Sequence, residues 1–339
     1  MTLTVDDLET IKERVLDATV PQGVRVLESS AQGSVWVASG LAKISAAYGA
    51  ALHERYSRYP SRMMTALDYC HKPFIQALPV LLSLKGRHED AVGVAEVIVE
   101  RSIENSILIT GDPNGLTAMA LKSSSLPFSI VTASLPKRDT RFVNCNSIFM
   151  LSALAYHVVK HALGENFRDS ISKEQLMLSF HKAAKASYVI TEGTTIGDWQ
   201  NNQLIVLGQG IQSELALPWQ SIFAEAGITT PILLDIKDYT HGDHLASVRL
   251  NNSIFIVIQT SGIEEICHTF VSRFSSRYIV RLIALETTGP VQYWENLFYC
   301  CNVAEALTKM FGYDGQRPPK DPIVHGWRGW GSVVPRDIL

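Results

Sequence analysis

In the first half of the chain the apolar residues fall into short unbroken runs, each followed by a longer stretch of mixed character. GSVWVASG (33–40) leads into LAKISAAYGAALHERY (41–56), PVLLSLKG (79–86) into RHEDAVGVAEVIVER (87–101), and SILITGD (106–112) into PNGLTAMALK (113–122). SIVTAS (129–134) then precedes SIFMLSALAYHVVKHAL (147–163). Runs that are apolar at every position, instead of every second one, predict strands covered on both faces. Their alternation with helices predicts a parallel sheet between helical layers. Ahead of them Leu8, Ile11 and Val15 recur at helical spacing, with Thr4 and Asp7 as a variant capping box, so 1–22 reads as a helical arm.

Near residue 170 the series restarts. VWVASGLA (35–42) resembles LIVLGQGI (204–211), LLSLKGRHED (81–90) resembles IVIQTSGIEE (256–265), and SILIT (106–110) resembles YIVRLIALE (278–286). Gly40 and Gly210, like Gly86 and Gly262, stand at nearly one offset, which predicts two α/β domains of similar plan. The polar stretch GENFRDSISKEQ (164–175) is the seam between a first domain over 23–165 and a second over 170–312. A C-terminal arm follows at 313–339, where Trp327 and Trp330 lie on either side of Arg328 in the manner of an interface anchor.

At 339 residues and 46% hydrophobic content the chain is long enough to bury two cores. Its net charge of -3, with no long run of Lys and Arg, gives no electrostatic basis for nucleic acid or an anionic membrane as partner and points to a small molecule. No run approaches the roughly 18 apolar residues of a membrane span. The start MTLTVDDLETIKERV lacks the basic-then-apolar order of a signal peptide, so a cytoplasmic protein is expected. The five cysteines (Cys70, Cys145, Cys267, Cys300, Cys301) are odd in number and include no CxxC pair, which predicts reduced thiols.

In open parallel sheets ligands bind beyond the carboxyl ends of strands. That directs attention to Ser39-Gly40-Leu41, to Ser83-Leu84-Lys85-Gly86-Arg87-His88 and to Asn144-Cys145-Asn146-Ser147. The second loop offers a hydroxyl at Ser83, close backbone approach at Gly86, and three cationic or potentially cationic side chains for a phosphate or carboxylate. A solvated basic turn is the plain alternative. GQG at 208–210 lacks the third glycine of a dinucleotide fingerprint, and no P-loop lysine motif is present.

Taken in order, these pieces resemble the double sugar isomerase (SIS) domain proteins, which include the isomerase half of glucosamine-6-phosphate synthase and the fructosamine-phosphate deglycases. The resemblance spans roughly residues 25–320. It rests on ASG (38–40), SLKG (83–86), VNCNS (143–147), LGQG (207–210), Glu225, HGD (241–243) and YDGQRPP (313–319). It implies two flavodoxin-like parallel-sheet sandwich domains, a homodimer, a phosphorylated sugar or sugar derivative as ligand, and no cofactor. By this resemblance Ser39, Ser83 and Cys145 lie against the phosphate, with Gly40 and Gly86 giving it room. Lys85, Arg87 and His88 stand where the family has smaller hydroxyl residues, and Leu41 and Ala42 replace a Thr-Ser pair, departures that alter how an anion would be held.

Aldose-ketose isomerisation needs a group that opens the ring and a base that carries a proton between C1 and C2. The resemblance assigns the base to Glu225 and ring opening to His241, sixteen residues later, the histidine often reaching a neighbouring subunit's site. The surrounding DYTHGDHL (238–245) also permits other readings. His244 is a further candidate for contact with the substrate; His241, Asp243 and His244 are also metal-ligand types, although the resembled isomerases need none, and a polar turn explains the same residues. Pro218, Ile222 and Ala224 depart from the family's pattern on the Glu225 helix, Lys320 does not match the amidotransferase's tail lysine, and no glutaminase domain is present. The expected activity is that of an isomerase or deglycase acting on an amino-sugar or ketosamine phosphate. The alternative is a double SIS protein that binds a carbohydrate derivative without chemistry.

Overall fold

The structure, a computed structural model, describes residues 20–30, 32–72, 76–133, 143, 145–209, 214–245, 248 and 252–313. The N-terminal arm, almost all of the C-terminal one, and the landmarks Asn144, Gly210 and Lys320 lie outside them. Among the described residues the chain divides into two compact units, 20–133 with 145–170, and 171–313. Each is built on its own sheet.

The first unit opens with a 3-10 turn at Gln22–Arg25 that runs into α1 (Val26–Ser29). There follow β1 (Ser34–Ala38), α2 (Ala42–Ser57), β2 (Ser61–Thr65), α3 (Ala66–His71), β3 (Leu78–Ser83), α4 (Glu89–Glu100), β4 (Ser106–Thr110), α5 (Leu116–Lys122), β5 (Phe128–Thr132) and α6 (Cys145–Leu163). All neighbouring strands pair in parallel, in the order β2-β1-β3-β4-β5. The central strands β1, β3 and β4 are buried at every position, as their apolar runs predict, whereas the edge strands β2 and β5 are partly exposed. On one face Val35, Val37, Leu81 and Leu108 pack against Val94, Ala95 and Ile98 of α4.

Helix α6 is buried on nearly all sides and lies against α2, to which the Ser45 and Ser152 hydroxyls bind it at 2.9 Å. Gly49 lets α2 rest on the sheet, because a Cβ there would stand 2.2 Å from the Trp36 ring. Below it the buried Ser34 hydroxyl joins Trp36 Nε1 (2.9 Å), Ser61 Oγ (2.7 Å) and His53 Nδ1 (2.9 Å).

The second unit comprises α7 (Lys173–Thr191), α8 (Ile196–Asn201), β6 (Gln203–Gly208), α9 (Leu217–Glu225), β7 (Ile232–Asp235), β8 (Ser253–Gln259), α10 (Glu264–Phe274), β9 (Ile279–Ala284) and α11 (Pro290–Met310). Full capping boxes start α7 (Ser172 with Gln175) and α8 (Thr195 with Asp198). The sheet is parallel in the order β7-β6-β8-β9, the same winding as the first four strands of the other unit. An aromatic core of Tyr239, Phe255, Phe270 and Tyr278 covers one face. The three pairs of similar segments are β1 with β6, β3 with β8 and β4 with β9. The α/β class with two parallel sheets is therefore what the chain adopts. Among the described residues no helix is long and apolar enough to cross a membrane. All five cysteines are buried and none forms a disulfide.

Candidate functional site

From β1 the chain winds first to β2 and then crosses to β3 on the other side, so the switch point of the five-stranded sheet lies beyond the carboxyl ends of β1 and β3. Val37 pairs with Leu81 in that ladder, and two residues further along each strand come Ser39 and Ser83. Ser83 in turn pairs with Thr110, and Thr110 with Thr132. A line of hydroxyl residues thus crosses this edge of the sheet. Ser83 and Thr110 are buried, Ser39 is half-buried, and Gly40 beside it turns with φ +58° and has nothing within 4 Å of where a Cβ would sit. Cys145 is buried as the first residue of α6.

The loop after β3 is pinned from beneath. Gly86 takes φ +57°, and its carbonyl accepts from the Thr117 N–H at 2.8 Å. Gly115 must also be glycine, since a Cβ there would meet the Lys85 carbonyl oxygen at 2.8 Å and Gly86 at 3.0 Å. Of the three basic residues expected to receive an anion, Arg87 pairs with Asp112 at 3.3 Å. His88 caps α4, its Nδ1 accepting from the Asp90 N–H at 3.3 Å. Lys85 is exposed and makes no ion pair among the described residues. Glu89 and Asp90 occupy the first turn of α4 and oppose a negative ligand there.

Thr110, Gly115 and Thr117 also shape this edge, and no motif in the sequence singles them out. Thr110 Oγ1 accepts from the Asp112 N–H at 3.1 Å, and the buried Thr117 Oγ1 has no hydrogen-bond partner among the described residues. The available signal was the strand endings themselves, VAS, LLS, LIT and IVT, each closing on a hydroxyl.

The second unit carries Glu225 and His241. Glu225 is the half-buried last residue of α9, ahead of β7, and His241 ends an exposed 3-10 turn, Asp238–His241, just after β7. The topology puts the two on opposite edges of the four-stranded sheet. Within this unit they are not brought together. Tyr239 anchors the turn in the aromatic core, at 5.6 Å from Phe255 between ring centroids, which leaves His241 and Asp243 pointing to solvent. His244 donates through Nδ1 to the Tyr239 carbonyl at 3.3 Å. Among the described residues no three His, Cys, Asp or Glu side chains converge as metal ligands do.

At the second sheet's own switch point Gly262 also turns with positive φ (+94°). Its N–H is bound by the Glu264 carboxylate at 2.8 Å. This loop is therefore closed by an acid, where the loop of the first sheet is capped by an imidazole.

Two parallel sheets of like winding, the first edged with glycine and hydroxyl residues, define an α/β fold whose solved likenesses are of the sugar isomerase type. No family model matches it, and no curated protein does. Solved structures give the particular likenesses. One is the C-terminal domain of glucosamine-fructose-6-phosphate aminotransferase from Francisella tularensis, with a TM-score of 0.67 and 15% identity over 93% of this chain and 96% of that one. Glucosamine-6-phosphate deaminase from Thermotoga maritima matches with 0.65 and 15% over 95% and 98%. A candidate phosphosugar isomerase from Clostridium difficile 630 matches with 0.72 and 12% over 96% and 98%. At such identities the likeness is one of fold.

Proposed function

We propose that the protein is a double SIS protein that binds a phosphorylated sugar at the carboxyl edge of its first sheet and isomerises or cleaves it, the substrate being an amino-sugar or ketosamine phosphate. The observation that carries this reading is the line Ser39, Ser83 and Thr110 beside Gly40 and Gly86 at the switch point. Hydroxyl and backbone N–H donors there suit a phosphate that needs no guanidinium, with Lys85, unpaired among the described residues, in the same loop. The names of the similar structures, a glucosamine-6-phosphate deaminase among them, support that ligand class.

In this reading Glu225 is the base that moves the proton between C2 and C1, and His241 shuttles the proton that opens the ring. Because β7 separates the two residues in one chain, Glu225 works with the His241 of a second copy, and the active form is a homodimer. The test is exchange in deuterated water of the C1 protons of ketose phosphates and the C2 proton of aldose phosphates, followed by NMR. Glu225→Gln should lose exchange by about 100-fold or more while saturable binding persists. Exchange surviving in that variant would remove Glu225 from the mechanism.

A binding-only protein is the second reading, favoured by the two carboxylates in the first turn of α4 and by the engagement of Arg87 with Asp112. Saturable binding of sugar phosphates with no exchange of any of them would select it.

A further inference from the structure

At the opposite edge of the first unit, where α2 ends and α6 passes into the 3-10 turn Gly164–Asn166, a cavity of about 550 Å³ opens. Its walls include Arg55, Tyr56, Arg58, Tyr59, Asn166 and Arg168. Helix α2 begins at the carboxyl edge of the sheet and runs 16 residues, so the cavity lies about 24 Å along that helix from the switch-point loops. The two places are separate.

Three guanidinium groups face one carboxylate in the lining, Glu28. Arg58 and Arg168 make no ion pair among the described residues. Nearby Asp169 is already engaged, accepting from the Tyr56 hydroxyl at 2.6 Å. Burial, followed by the Asp169 carboxylate, raises the Tyr56 pKa, so the ring keeps its proton and its place. Phe167 fixes that ring from behind, at 4.5 Å between centroids. Arg58 is the left-handed cap of α2, with φ 67°, where a glycine would fit without strain. A cationic side chain is thus held at a backbone position that disfavours any side chain.

We propose that this cavity is a second anion site, one that takes a small phosphorylated molecule. Its phosphate groups lie on the forks of Arg58 and Arg168, and its body lies against Tyr56 and Tyr59. Planar guanidinium groups match phosphate oxygens in pairs, and the volume falls in the range of small-ligand sites. A nucleic acid strand would need a basic stripe, and the chain is net negative. This inference does not depend on the function proposed for the strand-end loops.

Inorganic pyrophosphate is the probe, titrated calorimetrically against the full chain and three variants. Arg58→Gly keeps the left-handed cap, Arg168→Gln keeps a polar side chain, and Lys85→Ala alters only the loop after β3. Lys85→Ala weakens the strand-end loop and should leave a saturable pyrophosphate event, and each arginine substitution, introduced into the Lys85→Ala chain, should weaken that event about tenfold or more, with the thermal midpoint at or above that of Lys85→Ala for Arg58→Gly. The proposal is overturned if the Lys85→Ala chain shows no saturable binding, or if neither arginine substitution weakens the binding that remains in it.

Discussion

Buried between α1, α2 and β1, His53 donates from Nε2 to the Leu27 carbonyl at 3.2 Å and accepts the Ser34 hydroxyl proton at Nδ1. Ser34 then receives Trp36 Nε1–H and the Ser61 hydroxyl, so every member of the cluster is satisfied with the imidazole neutral. Burial lowers the His53 pKa from 6.5 to about 4. Between these values the unfolded chain holds a proton that the folded one refuses. Stability is therefore full above about pH 6.5 and declines as the pH falls towards 4, by up to about 3 kcal/mol. Urea unfolding at several pH values should show the advantage of wild type over His53→Gln shrinking with acidification, and a constant difference would contradict this account. At Gly49 the expected change is steric. Alanine would gain about 1 kcal/mol in helix propensity yet force its methyl into the Trp36 ring, and unfolding measurements should show a net loss of about 1–3 kcal/mol. Neither cluster is visible in the sequence, because its members come from separate elements that meet only after the sheet has formed.

Among the elements, the buried strands are legible, as are the edge strands β5 and β9 in SIVTAS and YIVRLIALE, but the edge strands β2 and β7 are not. SVWVA, LPVLLS, SILIT and SIFIVIQ are apolar because both faces are covered, whereas SRMMT in β2 and ILLD in β7 are short, partly exposed and mixed in character. The loop after β3 is legible from its glycine and its charges, and Asp90 beside His88 fits the basic-turn alternative, but the engagement of Arg87 depends on Asp112, which its distance along the chain does not bring to mind as a partner. Gly115 holds that loop in shape from the start of α5. Gly115→Ala should displace Lys85 and Gly86, weaken binding of glucosamine 6-phosphate about tenfold and lower stability by about 1–2 kcal/mol. A calorimetric titration with unchanged affinity would show that the loop does not hold the ligand.

For the molecule as a whole, the repeated pattern of strand and glycine correctly foretold two sheets of one winding. The resemblance pairs Glu225 with His241 sixteen residues later but does not reveal that β7 lies between them, since spacing along a chain carries no direction in space. If a second copy completes each site, Glu225→Gln and His241→Asn should rescue one another. Random mixing makes half the dimers hybrids with one intact site each, so activity should return to about a quarter of wild type. No recovery after denaturation and joint refolding would place the two residues in unconnected roles.

The Glu264 carboxylate on Gly262 has a consequence for the economy of the repeat. Two halves built to one plan present two equivalent corners, yet the later one supplies its own acid and so needs no guest. In the proposed reading the strand ends then hold one sugar phosphate per polypeptide, and the duplicated half serves as scaffold and bearer of Glu225 and His241.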